Sequence, residues 1–473
     1  MSSEQNSNDR RQGGTLSPSE TRHALWVAAI AWGVFGSSWA SLISGAPFAN
    51  FARSLGASTL MFGLLSSLPF LGVLAQLPAS YLVERSRRRR RSFLIFISAQ
   101  RAVWFVVAAL PWMVPPGHAE IRVGLLLALV LLSSAMGHAG SPAWFSWFAD
   151  VVPEEIRARY LGQRQALATT TAVLVSALAG YILDRSSSMS VFTVMFAVAA
   201  VLGLIDIGMF LQVREPPMAE HEGPPWRLRN VVLGPLSNRP FRGYLLYAWS
   251  EALMFGLAGP FFWLMGLEVL DIGNFWSNLY IMMVPMICTA VALPLWGGIV
   301  DRFGAKPLVT LGTLVSIVFP VCWTLATPGH YHTLLALAAV VGGIFGAAIQ
   351  AADMNMIFAL TPRQSRSAYI ALVSVAASLG WALAPTFSGA IAQALKTWQL
   401  ELGGRTFVNL HVLMAISVGA RLLHVWLVVP RLPEERGEST VALAKHLVTA
   451  PAAWLGRVVS PRRNRAARGP GEG

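Results

Sequence analysis

The chain has 473 residues, of which 55% are hydrophobic and only 12% charged, with a formal net charge of +13 and a mean hydropathy of +0.55. Soluble domains carry about 25% charged residues, so a single water-facing globule is excluded and a helical protein that crosses a membrane many times is indicated. Cys288 and Cys322 both fall inside apolar runs, so no extracellular disulfide framework is expected.

In chain order, residues 1–22 are rich in Ser, Asn, Gln and Arg and read as a disordered tail. Twelve apolar runs follow, at about 23–50, 58–83, 92–114, 121–151, 164–184, 190–213, 242–267, 275–296, 307–327, 332–360, 367–394 and 408–430. Most approach or exceed the ~20 residues a helix needs to cross a bilayer. The first is too long for a signal-peptide core and is expected to stay as a helix. A polar, proline-containing stretch, Arg214–Arg239, separates runs six and seven. The expected organisation is therefore a tail (1–22), a six-helix bundle (23–213), a central loop (214–241), a second six-helix bundle (242–430) and a final tail (431–473). Within that last tail Val441–Val459 is mildly amphipathic, but Pro451 divides it, so a loose tail is the stronger reading.

An even number of crossings puts both termini on one side. With that side cytoplasmic, only Arg53, Arg122, Arg185, Lys396 and Arg405 of the 36 Lys and Arg fall outside, and Arg101 and Arg421 fall within helices. This is the asymmetry of the positive-inside rule. Arg85 and the run Arg87–Arg91 then read as anchors beside anionic headgroups, and no nucleic-acid partner is expected.

The halves repeat one another in two places. Pro153, Arg157 and Tyr160 after run four recur with the same spacing as Pro362, Arg366 and Tyr369 after run ten. Between runs eight and nine stands Gly297–Lys306, G-G-I-V-D-R-F-G-A-K, and between runs two and three Ser80–Arg89, S-Y-L-V-E-R-S-R-R-R. Duplicated six-helix halves are a mark of transporters that rock about a midplane site.

These features resemble the major facilitator superfamily over nearly all of the twelve runs. The signature of that family after helices two and eight is G-x-x-x-D-R-x-G-R-K; Gly297, Asp301, Arg302, Gly304 and Lys306 match it, with Ala305 in place of a base. In the first copy Ser80 and Arg87 replace glycines and Glu84 replaces Asp, while the acid–base pair Glu84–Arg85 persists. The resemblance implies an all-α polytopic membrane protein, twelve transmembrane helices in two six-helix pseudo-repeat halves. It further implies that the two turns latch a cytoplasmic gate, that helices one, four, seven and ten line a central cavity, and that three, six, nine and twelve lie outside it. Helix four lacks the Arg-x-x-x-Gly-x-Gly pattern of many proton-coupled members, reading Ser134 to Gly140 as S-A-M-G-H-A-G, and helix five lacks the Gly-Pro of drug–proton antiporters.

An ionisable residue inside a membrane helix is a functional candidate by default. Glu251 lies ~13 Å and Asp353 ~12 Å from the cytoplasmic ends of runs seven and ten, and Asn355 adds a polar group beside the latter. Each either contacts solute or proton, or neutralises a neighbour to hold the bundle together. His138, ~20 Å deep in run four, either hydrogen-bonds a neighbouring helix or takes part in binding. Arg101 and Arg421 are expected to pair with acids inside their own halves, and Asp206, near the cytoplasmic edge, reads as structural. Trp39 and Trp144 are either aromatic walls of a pocket or residues of helix packing and the interface belts, and Gly259-Pro260 is either a bend in a cavity helix or a kink that aids packing. There is no phosphate-binding loop and no cluster with metal-ligand spacing, so neither ATP nor any cofactor is expected. The expected function is secondary transport of a small organic solute by alternating access, coupled to protons or uncoupled, in a monomer of the inner membrane. The degraded first turn supports the alternative of a transport-inactive sensor or assembly factor. A membrane enzyme is not expected.

Overall fold

The structure is a computed structural model that describes residues 16–86, 88–216, 234–361, 366–433 and 439–449. Twelve of its helices are long and apolar enough to cross a membrane: α1 Pro18–Ser54, α2 Thr59–Val83, α3 Arg89–Met113, α4 Ala119–Val151, α5 Glu155–Arg185, α6 Met189–Gln212, α7 Arg239–Val269, α8 Asn274–Phe303, α9 Ala305–Leu325, α10 His332–Leu360, α11 Tyr369–Ala394 and α12 Asn409–Arg431. Each expected run is a helix. The largest change of boundary is in α5, which begins near Glu155 rather than at 164. Its first turns are polar, so hydropathy does not report them. One short antiparallel hairpin, β1 Gln399–Leu402 with β2 Arg405–Val408, is added to the all-helical expectation. Gly403 and Gly404, both at positive φ, make its two-residue turn.

Backbone groups in lipid must be satisfied within the segment, which is why these spans are helices. The helices are nonetheless locally irregular where the sequence requires it. Pro69 is followed by the tight turn Gly72–Ala75. Gly259-Pro260 interrupts α7 between Ala258 and Phe261, as expected. Wide turns occur at Ala31–Gly36, Met265–Val269, Leu279–Met283 and His424–Val428, a form often found at functional places.

The apolar cores reveal how the halves meet. One large core draws on both halves, from Ala46, Phe51 and Phe196 in the first to Phe261, Trp323 and Leu410 in the second. It lies at the end of the bundle away from the termini. Toward the termini there are two separate cores: one of the first half around Phe93, Trp147 and Phe210, and one of the second around Phe241, Trp296 and Phe303. The halves are thus joined at one end and parted at the other.

Polar contacts reinforce the joined end. Arg53 pairs with Glu268 at 2.5 Å, Asn50 Nδ2 donates to Asn274 Oδ1 at 2.6 Å, and Asn278 Nδ2 donates to the Ser176 carbonyl at 2.8 Å. Glu268, near the C-terminal end of α7, is therefore part of the closure. Asp184 of α5 accepts from the backbone N–H groups of Asn274 and Phe275 at the start of α8. The N-cap position of α8 is Gly273, which has no side chain, so a carboxylate from the other half caps the helix in its place.

Two further expectations are corrected. Arg89, in the basic run read as a headgroup anchor, is only 1% exposed. It pairs with Asp150 at 2.5 Å, donates to the carbonyls of Ser146 (3.2 Å) and Pro216 (2.9 Å), and reaches Glu215 at 3.5 Å. It ties α3 and α4 to the chain leaving α6. The tail read as loose contains a helix, α13 Thr440–Thr449. Its Leu443 is fully buried, and the His446 ring lies 5.2 Å from Phe303 beneath the α8–α9 turn. The rest of that tail lies outside the described residues.

Arg89→Ala should lower stability by about 3 kcal/mol, the scale of removing one partner from a buried charge network, and so lower the melting temperature of the purified chain. Arg91→Ala, at an exposed neighbour, is the control and should melt near the unsubstituted protein. Equal melting of the two variants would refute the buried knot.

Candidate functional site

Because the halves are parted toward the termini, space remains between them. Two cavities of about 770 and 680 Å³ share Trp39, Pro69, Phe70, Gln100 and Ser134 in their walls. The first reaches His138, Trp144, Arg164 and Asp206 in the first half and Ser378 in the second. The other continues to Trp263 and Trp381 of the second half. The α1 wall is made by a segment rich in serine and tryptophan. Ser37, Ser38 and Ser41 donate to carbonyls of α1 itself, at 2.7, 2.6 and 2.9 Å. Their hydroxyls are thereby satisfied locally, and Trp32 and Trp39 of the same helix are among the residues that face the cavity.

Arg101 pairs with Asp206 at 3.1 Å, with side chains only 4% and 3% exposed. The guanidinium also stacks 3.4 Å over the Trp39 ring. Small residues make this packing possible: a Cβ on Gly36 would stand 2.8 Å from the Asp206 carboxylate, and one on Gly203 would crowd Arg101 and Trp39. Arg101 pairs with an acid of its own half, as expected, but its position outside the cavity is corrected: α3 presents it to the wall. Asp206, read as an edge residue, is likewise at the wall. Arg421 is buried in the second half without a carboxylate partner among the described residues. It donates to Ser316 Oγ at 3.1 Å and to Ser417.

Arg164 carries no signal in the sequence reading, which placed it at the mouth of run five. The helix starts about nine residues earlier, so Arg164 stands inside α5. Its Nε donates to the Ala28 carbonyl at 3.1 Å, and its guanidinium lies 5.4 Å from the Trp144 ring and 5.8 Å from that of Trp32. Trp144 is held by stacking on Phe148 at 4.7 Å and by contacts with Phe93 and Phe210. Ser134 donates to the Pro69 carbonyl, so α4 grips α2 where the proline interrupts it, and His138 one turn on lines the larger cavity.

The second half brings Glu251 and Asp353 together, from α7 and α10. Tyr247 Oη is 2.7 Å from Asp353 Oδ1 and 3.0 Å from Glu251 Oε1. Tyr244 donates to the Asp353 carbonyl at 3.2 Å and stacks on Tyr247. Ser250 meets His424 Nδ1 at 3.0 Å, and the His424 ring lies 5.3 Å from that of Tyr247. Among the described residues neither carboxylate has a cation within ion-pair distance. A tyrosine hydroxyl has one proton to donate. It satisfies one carboxylate as donor; the second short contact is a hydrogen bond only if that carboxyl carries a proton of its own. Sequence reasoning missed Tyr247, although its placement one turn before Glu251 is the helical spacing that brings side chains together.

Asn355 does not join this group, correcting the expectation that set it beside Asp353. Two residues along a helix is more than half a turn, and Asn355 instead lines a separate cavity of about 520 Å³ with Asp301 and Lys306 at the termini end. In the α8–α9 turn, Gly304 has φ +85°, a conformation open to glycine, which lets α8 stop and α9 begin in one residue. Arg302 lies over Phe303 at 5.0 Å, and Lys306 donates to the Pro430 carbonyl at 3.3 Å. Gly297 faces open space, with nothing within 4 Å of an added Cβ. Arg85 is exposed at the α2 end, and the Glu84 side chain lies outside the described residues.

A family model described as Major Facilitator Superfamily matches residues 24–287 and 279–465. A comparison with curated proteins gave no match. Among solved structures, the fold is similar to that of the nucleoside transporter NupG, with a TM-score of 0.64 at 12% identity, covering 88% of this chain and 100% of that one. It is also similar to a bacterial homologue of the human lysosomal transporter Spinster, in an inward-facing and unoccupied conformation. There the TM-score is 0.59 at 18% identity, covering 93% of this chain and 99% of the other. With twelve membrane-crossing helices in two halves and the turn signature at Gly297–Lys306, the chain belongs to the Major Facilitator Superfamily.

Proposed function

We propose that the protein is a secondary transporter of a small organic solute that works by alternating access and is coupled to protons at Glu251 and Asp353. The observation that carries the coupling is the single Tyr247 hydroxyl between two carboxyl groups. The triad is fully hydrogen-bonded only with one extra proton aboard. Losing that proton leaves two negative charges and one donor in a place where a charge is costly. Binding and release of a proton would therefore change the packing of α7 against α10.

The termini side is read as cytoplasmic, in an inner membrane, from the arginine distribution. The state described is then open to the cytoplasm. In the opposite state the turns at Glu84–Arg85 and Asp301–Arg302 would meet the other half and latch the cytoplasmic end. The open space at Gly297 is room for such a contact. The Asp184, Arg53–Glu268 and Asn50–Asn274 contacts would break as the outer end parts. The protein is proposed to act as a monomer, since the cavity is complete within one chain.

In proteoliposomes supplied with a metabolite extract and a pH gradient, Glu251→Gln and Asp353→Asn should each abolish gradient-driven accumulation, read by mass spectrometry of the lumen. Full accumulation by both variants would sink the coupling assignment.

Alternating access has its own test. With Cys288 and Cys322 replaced by Ser, an Asn50→Cys and Asn274→Cys pair should cross-link on oxidation, stop flux, and recover it on reduction. Undiminished flux through the cross-linked protein would exclude opening at that end. Absence of flux by the reduced protein would favour the transport-inactive sensor.

A further inference from the structure

We infer that the solute is an amphipathic organic anion, an apolar aromatic body bearing one carboxylate-like group, and that Arg164 receives its charge. The inference rests on the transporter reading and adds the substrate class to it. Of the two arginines in the cavity wall, Arg101 is already neutralised by Asp206 at 3.1 Å. Arg164 feels the same Asp206 charge from beyond ion-pair distance and has no other described carboxylate that close, so one acid faces two arginines and the wall keeps a net positive charge. One of its five N–H donors is used, by the Ala28 carbonyl at 3.1 Å. The side chain is partly exposed and lines the larger cavity, so its remaining donors are within reach of a ligand.

The surroundings favour a flat apolar body behind that charge. Trp32 and Trp144 flank the guanidinium. Further along, Phe70 and Trp381 stack across the two halves at 5.4 Å and 17° between planes. Both belong to the walls of the cavities. The guanidinium fork matches the two oxygens of a carboxylate better than an ammonium would. A cationic solute would need an acidic wall instead. Asp206 is tied to Arg101, and neither Glu251 nor Asp353 lines these two cavities. The charges also balance across the molecule. One anion at Arg164 together with one proton at the Tyr247 triad carries no net charge.

The test measures binding, not flux, on the full chain in lipid nanodiscs by calorimetry. The probes are naphthylacetate, its neutral amide naphthylacetamide, and the cation naphthylmethylamine, which share one aromatic body. The acid should bind roughly ten- to hundredfold more tightly than the other two, the span of one hydrogen bond to a charged group. Arg164→Gln should erase that preference. Arg164→Lys keeps the charge and loses the fork, so it should weaken the acid alone; it carries the test should the Gln variant fail to fold. The inference is overturned if the amine binds best, if the three bind equally, if the acid does not bind, or if the preference survives in Arg164→Gln. Binding of the acid without any flux would sink only the transporter reading. Flux of a cationic solute would sink only this inference.

Discussion

The arrangement depends on where the two halves share apolar surface. They do so in a single core that runs from Phe51 and Phe196 through Phe261 to Trp323, and beyond it in the Phe70–Trp381 stack, but not at the termini end. There each half buries its own aromatic cluster. Contact between helices in lipid gains little from the hydrophobic effect and rests on close packing and polar bonds. That makes the borrowed cap at Asp184 informative. The first amides of α8 are satisfied by the opposite half, so the closed end is specified by geometry as well as by fit.

Charge is distributed unequally between the halves. The first holds Arg101, Arg164 and Asp206 around the cavity; the second holds Glu251 and Asp353 around Tyr247. A buried pair such as Arg101–Asp206 gains little net stability, because desolvation offsets attraction, but losing one member costs about 3–5 kcal/mol. Such a pair fixes a shape. Arg164, by contrast, is held by aromatic faces, worth about 0.5–2 kcal/mol, and by one carbonyl. It is placed without an acid of its own, since Asp206 is paired with Arg101.

The fold was legible because lipid imposes one rule on every span. Apolar runs of sufficient length had to be helices, and all twelve are. The turn motif and the Pro-Arg-Tyr repeat then related the halves. What hydropathy does not show is a polar helix continuing beyond the lipid, and for that reason α5 was read short and Arg164 was set at its first residue instead of within it. The same blindness set Arg89 among surface charges, when its run of arginines contains one that turns inward to Asp150. Glu251 and Asp353 were singled out by depth alone; that they meet is a fact of packing between α7 and α10, written in no spacing. Asn355 shows the converse. It is close to Asp353 in sequence, and helical geometry sends it to a different cavity.

The α13 helix has a consequence for handling the chain. Leu443 and His446 close apolar surface beneath the α8–α9 turn, some ten residues beyond the last membrane helix. Truncation after Arg431 would leave Phe303 uncovered at the aqueous boundary. Affinity tags and reporter fusions therefore belong after Thr449, where the bundle's underside is already sealed.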